Sequence, residues 1–188
     1  MAVYTRINQN DLSLIEKNFK IGKIYSFSGI KKGIENTNYL IKTNKKKIIL
    51  TIFEKRVQKK DLPFFMDLMF GLSKQKIKCP EPIKNKKGKY LFKIKNKTAC
   101  LVSFLEGKDK INLTNKDCYA VGKNAALLHM AAKKLSLYRK NSLSVNSWGP
   151  LLNRIDKRIN KLSDNLINIM KNDLSDIKKN GQRICPME

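Results

Sequence analysis

Between Lys47 and Phe53 the side chains alternate along an extended chain. Ile48, Leu50 and Ile52 fall on one face, and Ile49, Thr51 and Phe53 on the other. A strand apolar on both faces is predicted to be central and covered on both sides. Lys23–Phe27 and Asn38–Lys42 read as further strands, with Ser28–Thr37 as a loop and Thr43–Lys46 as a hairpin turn. Leu12, Ile15 and Phe19 share one face of a helix predicted over 11–21, capped by Asn10 or Asp11 and stopped at Gly22. A second helix is predicted over Asp61–Lys74, with Pro63 in its first turn and Phe65, Met69 and Leu72 at helical spacing. Lys78-Cys79-Pro80-Glu81-Pro82 forces an extended path. Ile83–Lys84 and Tyr90–Ile94 then predict a hairpin around Lys86-Lys87-Gly88, and Thr98–Phe104 one more apolar strand.

After Gly107 the pattern becomes helical. Thr114 and Asp117 have the spacing of a capping box, and Val121, Ala125, Leu128 and Ala132 form the stripe expected to be buried. A loop rich in Ser and Asn runs to Trp148-Gly149-Pro150, and Leu152, Ile155, Ile159, Leu162, Leu166 and Ile169 then step along one long amphipathic helix. The expected fold class is α+β. A sheet lobe with helices covers 1–104, a hinge lies near Leu105–Asp109, and a helical lobe covers 105–188.

Composition changes this picture in two places. The net charge of +25 invites a nucleic-acid partner, but only six of the 40 basic residues are Arg, the usual reader of base edges. The lysines are spread over the whole chain and travel with Ile and Asn, as an A/T-rich genome would produce, so they read as a solvated surface that attracts anions. Cys79, Cys100, Cys118 and Cys185 form no Cys-x-x-Cys pair, and His129 is the single histidine. Neither a zinc site nor a disulfide framework is expected. Cys79, Cys100 and Cys118 sit in apolar text and are expected to be buried thiols. No apolar run approaches the ~20 residues of a membrane span and the start has no secretory layout, so a cytoplasmic protein is expected.

The chemistry-bearing feature is Gly29-x-x-x-Gly33 between two antiparallel strands, where backbone N–H groups could approach phosphate oxygens. The order that follows, central strand, helix, hairpin, apolar strand, hinge, helices, is that of a protein-kinase-like nucleotide lobe. Seven segments, Met1–Thr5, Gly29-Ile30, Gly33–Tyr39, Leu50–Arg56, Asp61–Phe65, Val102–Gly107 and Leu127–His129, together resemble the bacterial type II homoserine kinases of the aminoglycoside phosphotransferase and choline kinase group. The resemblance runs to about Asn180. It implies ATP between two lobes and phosphoryl transfer to the hydroxyl of L-homoserine, a step of threonine synthesis. It places Gly29, Ile30, Gly33, Asn36 and Asn38 over the phosphates, Thr51 where relatives in the wider group carry a phosphate-binding Lys or Arg, and Ser103 and Leu105 at the adenine-contacting hinge. His129 matches a position on a buried helix and is read as a core residue rather than a catalytic one.

The resemblance also implies Mg²⁺, held by a His-x-Asp-x-x-x-x-Asn loop and a later Asp beyond the last matched segment. Asp156, Asp164, Asp173 and Asp176 read as surface charges on helices. No catalytic residue is assigned, and an inactive, truncated, aggregation-prone chain is expected. The ending Asn180–Glu188 does not fit the family's text. With suitable synonymous codons, reading one base earlier spells Trp-Pro-Lys-Asn-Leu-Pro and then, one residue on, Gly. That is close to what the resemblance calls for, so a one-base frameshift near Asn180 is expected. The alternative readings are another small-molecule kinase of this fold, acting on choline, an aminoglycoside or a sugar, and a non-catalytic nucleic-acid-binding module.

Overall fold

The structure is a computed structural model, and it describes residues 3–54, 57–155 and 165–184. Lys55, Arg56, Asp156, Ile159, Leu162, Asp164 and Cys185 lie outside the described residues. The chain forms two compact units, Met1–Tyr138 and Arg139–Glu188.

The first unit is built on a five-stranded antiparallel sheet of β1 (Ile24–Gly29), β2 (Thr37–Thr43), β3 (Lys47–Ile52), β4 (Leu91–Ile94) and β5 (Lys97–Ser103), in the order β1-β2-β3-β5-β4. β3 is central, as its two-faced pattern predicts. Ile48, Leu50 and Ile52 are fully buried beside Tyr39, Ile41 and Leu101. This face is covered by α1 (Gln9–Asn18) through Leu12 and Ile15, and by Phe19 and Ile21 just after it. α1 begins earlier than expected, and its cap is Asn8 rather than Asn10 or Asp11. The Asn8 side chain accepts from Asp11 N–H, and the Asp11 carboxylate accepts from Asn8 N–H.

The opposite face meets α2 (Leu62–Lys74), entered through a short 3₁₀ turn at Lys59–Asp61. Met66 packs on Cys100 and Val102, with Ile49, Phe53, Phe65 and Met69 around them. The hairpin expected at 83–94 is rearranged. The turn at Asn85–Lys89 forms, but β4 pairs with β5 across Lys95-Asn96. Ile83 N–H donates to Leu101 O and Ser103 N–H to Glu81 O, so the proline arm extends the sheet edge beside the end of β5. Pro80 and Pro82 supply no N–H for a central ladder, which suits this edge.

α3 (Asn115–Lys133) has the capping box read from Thr114 and Asp117. It meets α2 near its C-terminal end, where Gln75 Nε2 donates to Ala131 O at 2.9 Å. The stripe expected to be buried is not: Val121 is 67% and Leu128 38% exposed, and Ala131 is the buried residue of this helix. His129 and Cys118 are exposed on it as well, contrary to the core positions expected for both. The physical reason is local. α2 reaches one end of α3, and no other described element covers the stripe.

In the second unit α4 (Val145–Asn153) packs on α5 (Leu166–Ile184) around Trp148, Leu152, Met170 and Leu174. The single long helix expected here is interrupted. α4 already includes Trp148-Gly149-Pro150, read as loop from sequence, and stops soon after Pro150, whose nitrogen cannot donate to Asn146 O. Asn165 then takes a left-handed φ of 66° before α5 begins. Asp173 and Asp176 are exposed on α5. Among the described residues no helix is long and apolar enough to cross a membrane.

Candidate functional site

α2 covers only part of its face of the sheet. Beside it lies a cleft of about 600 Å³, within the range of small-molecule sites. Ile49, Phe53, Phe65, Met69, Cys100 and Val102 give it an apolar floor and wall. Two strand rows build the floor. Asn38, Thr51 and Cys100 are neighbours across β2, β3 and β5, and Ile49 and Val102 pair in the next row. Burial pushes the Cys100 thiol up to about 12, so it is an inert apolar surface here rather than a nucleophile.

Polar groups lie among these apolar ones. Ile30, Asn36, Asn38, Thr51, Ser103 and Leu105, all singled out from sequence, line this one cleft. Thr51 Oγ donates to Asn38 Oδ1 at 2.8 Å. That uses the carbonyl side of the Asn38 amide and leaves its NH₂ as the donor offered to the cleft. At the end of β5, Ser103 N–H is taken by Glu81 O and Phe104 N–H by Lys47 O. No backbone bond joins Leu105 N–H to another described residue. The chain thus leaves the sheet with a backbone donor at the cleft edge.

The two glycines differ from these. Gly29 ends β1 opposite Tyr39, and a Cβ there would lie 2.8 Å from Val3 Cγ2. Its lack of a side chain makes room for the N-terminal segment rather than for the cleft. Gly33 has φ +116°, a region that side chains strongly disfavour, and a Cβ added there would meet nothing within 4 Å. It permits the sharp exposed course of the loop between Ile30, whose N–H donates to Asn38 O, and Thr37. Lys32 of this loop pairs with Asp109 beyond β5, but both side chains are largely exposed and the pair stabilises little.

Sequence reasoning missed a cluster at the closed end of the sheet. Glu54 follows β3 with its side chain 9% exposed, and receives Thr5 Oγ and Thr37 Oγ, each at 2.7 Å, as well as Lys97 Nζ. Burial raises the Glu54 pKa, but the bonds from Lys97, Thr5 and Thr37 and the Lys97 charge outweigh it and hold the carboxyl below its usual value. Thr5, Thr37 and Glu54 each lie in a segment that carried the resemblance, which was the available signal. Lys97 carried none.

Residues 26–169 match the phosphotransferase enzyme family. The chain belongs to that family. A homoserine kinase from Brucella anthropi is 37% identical over 186 residues, covering 99% of this chain and 57% of that protein. One from Allorhizobium ampelinum is 41% identical over 166 residues, covering 88% of this chain and 52% of that protein. The chain therefore spans little more than half the length of the curated relatives it matches. Among solved structures, a spectinomycin phosphotransferase in complex with ADP and spectinomycin superposes with a TM-score of 0.55 at 17% identity, over 94% of this chain and 54% of that one. That likeness gives the fold, which is the kinase-like one expected from sequence.

Proposed function

We propose that the cleft binds ATP and that the whole protein is a homoserine kinase, phosphorylating the hydroxyl of L-homoserine in threonine biosynthesis in the cytoplasm. The observation that carries the first half is the convergence of Ile30, Asn36, Asn38, Thr51, Ser103 and Leu105 on one apolar cleft. The second half rests on relatives named homoserine kinase that align over nearly all of this chain. In this reading the adenine lies between Ile49, Phe53, Met69 and Val102, and meets backbone groups at Ser103 and Leu105. The loop around Gly33 covers the phosphates, and the Asn38 NH₂, held by Thr51, donates to a phosphate oxygen. The apolar walls exclude water, which strengthens each such contact.

Mg²⁺ is expected to accompany the nucleotide in such a kinase. Among the described residues no three His, Cys, Asp or Glu side chains are grouped to hold a metal, so these residues do not fit a Mg²⁺ site. Among the described residues that line the cleft there is no carboxylate to accept the proton of an acceptor hydroxyl either. Positioning of the nucleotide is therefore assigned to the sheet and the strand exit through Leu105, and transfer to groups outside this cleft. On this view the 188-residue chain by itself binds ATP without turning it over.

The test is a product carrying the reading frame expected beyond Asn180, incubated with ATP and separately with homoserine, choline and kanamycin. Phosphorylation of homoserine alone is expected. Turnover with choline or kanamycin instead, or with none of the three, overturns the assignment.

A further inference from the structure

Two segments that the ATP reading leaves unexplained, Val3–Thr5 and Glu54, meet the glycine loop at Ile34–Thr37 in one hydrogen-bonded cluster. Tyr4 Oη donates to Ile34 O in the loop at 3.1 Å. The N–H groups of Tyr4 and Thr5 both donate to Thr37 Oγ, at 2.9 and 3.1 Å, and Thr37 Oγ in turn donates to Glu54. Thr5 Oγ donates to the same Glu54 oxygen and accepts from Lys97 Nζ at 2.7 Å. Glu54 N–H donates to Asn36 Oδ1, at 3.4 Å, at the other end of the loop. Tyr39 Oη donates to Thr5 O at 3.0 Å, and Val3 lies against Gly29 at the loop's start. The loop is thus held from outside at Gly29, Ile34, Asn36 and Thr37, while its inner edge faces the cleft through Ile30, Asn36 and Asn38.

We propose that Val3–Thr5 and Glu54 form a strap that fixes the phosphate-covering loop, making Tyr4 and Glu54 positioning residues for the nucleotide phosphates. This rests on the ATP reading above. Neither side chain lines the cleft, so Tyr4 acts through the Ile34 carbonyl and the Glu54 carboxylate through the hydroxyls of Thr37 and Thr5, while the Glu54 backbone N–H holds Asn36. The strap explains why a short N-terminal segment is tied by side chains rather than added to the sheet as a strand. A carboxylate that accepts from two hydroxyls and an ammonium is oriented as well as charged. Glu54 can therefore hold β2, β3, β5 and the N-terminal segment in one register.

The test uses the full 188-residue chain with Tyr4→Phe, Glu54→Gln and Glu54→Ala, read by three measurements: affinity for ATP, affinity for adenosine, and amide exchange at Tyr4, Thr5, Ile30 and Glu54. Tyr4→Phe should weaken ATP about 2- to 10-fold, the equivalent of one net hydrogen bond, and leave adenosine unchanged. Glu54→Ala should weaken ATP most. Glu54→Gln, which keeps an oxygen for the two threonines, should recover part of that loss. Exchange at Tyr4 and Thr5 should quicken in the Glu54 variants. Equal losses for ATP and adenosine, or no loss of ATP in any variant, overturn the strap. If the unaltered chain binds neither ligand, the ATP reading fails by itself. Exchange then decides the strap, and unchanged rates at Ile30 in Tyr4→Phe and at Tyr4 and Thr5 in Glu54→Ala reject it.

Discussion

Leu50 and Thr51 are adjacent on the central strand yet belong to opposite faces of the sheet. Leu50 is 0% exposed, lying between Tyr39 and Leu101 under α1. Leu50→Ala removes its buried methyl groups and leaves a cavity in a face covered by α1. A cost of about 2–5 kcal/mol follows. Against a total of roughly 5–15 kcal/mol for a domain, that is a large share of the stability. Thr51→Val keeps the shape and deletes one hydroxyl, which donates to Asn38 at 2.8 Å on the cleft side. Its stability cost is about 1 kcal/mol, because the Asn38 oxygen is half-buried and regains water. Its effect on ATP should be the larger one, since the amide that faces the cleft loses its anchor. The sole Trp lies at 148 in the second unit, so its fluorescence does not report the sheet. Native-state amide exchange along β3 and β5 is the appropriate stability assay, paired with ATP titration. A Leu50→Ala cost below about 1 kcal/mol, or a Thr51→Val cost as large as that of Leu50→Ala, would refute the division of the two faces.

The Glu54 carboxyl is held below its ordinary value of 4.5 in the folded chain. The unfolded chain therefore takes up the proton first as pH falls. Stability from this group is present above 4.5 and is lost as pH drops through the folded value. The melting temperature of the unaltered chain should fall more steeply over that acid range than that of Glu54→Gln; parallel curves would contradict the coupling. Thiol alkylation at mildly alkaline pH should modify exposed Cys118 quickly and leave Cys100, whose pKa is pushed up to about 12, untouched until unfolding, as peptide mapping would read. Rapid labelling of Cys100 in the native chain would mean that the cleft floor is not closed there. Thr114→Ala removes the side chain that caps α3 and should cost that helix about 1 kcal/mol, quickening its exchange while leaving β3 unchanged.

Much of the first unit could be read from the chain because its signals are local. The two-faced alternation of Ile48 to Phe53 gave the centre of the sheet and put Thr51 and Phe53 on one side, where both line the cleft. Thr114 and Asp117 gave the α3 cap by spacing alone. What failed depended on distant partners. Nothing near Ile83 says that it bonds to Leu101 instead of β4, since either pairing satisfies the same apolar pattern. The stripe on α3 has the right period for burial, but a period cannot supply the surface that covers it. Glu54 shows the same limit in a polar setting: the strap joins residues 17 to 92 positions apart, and no spacing rule links Thr5 to Lys97. Gly29 was read as making room for a ligand, whereas the group that comes near it is Val3.

The decisive experiment for the cleft is amide-exchange mapping of the 188-residue chain with and without ATP at physiological ionic strength, where loose attraction to its +25 charge is screened. A nucleotide site in this cleft predicts saturable binding of one ATP per chain, with protection confined to the loop after Gly29, to β3 near Thr51 and to residues 100–105. Protection on the α1-covered face, or a diffuse response spread over the lysines with no saturation, would contradict the claim that this cleft is a nucleotide site.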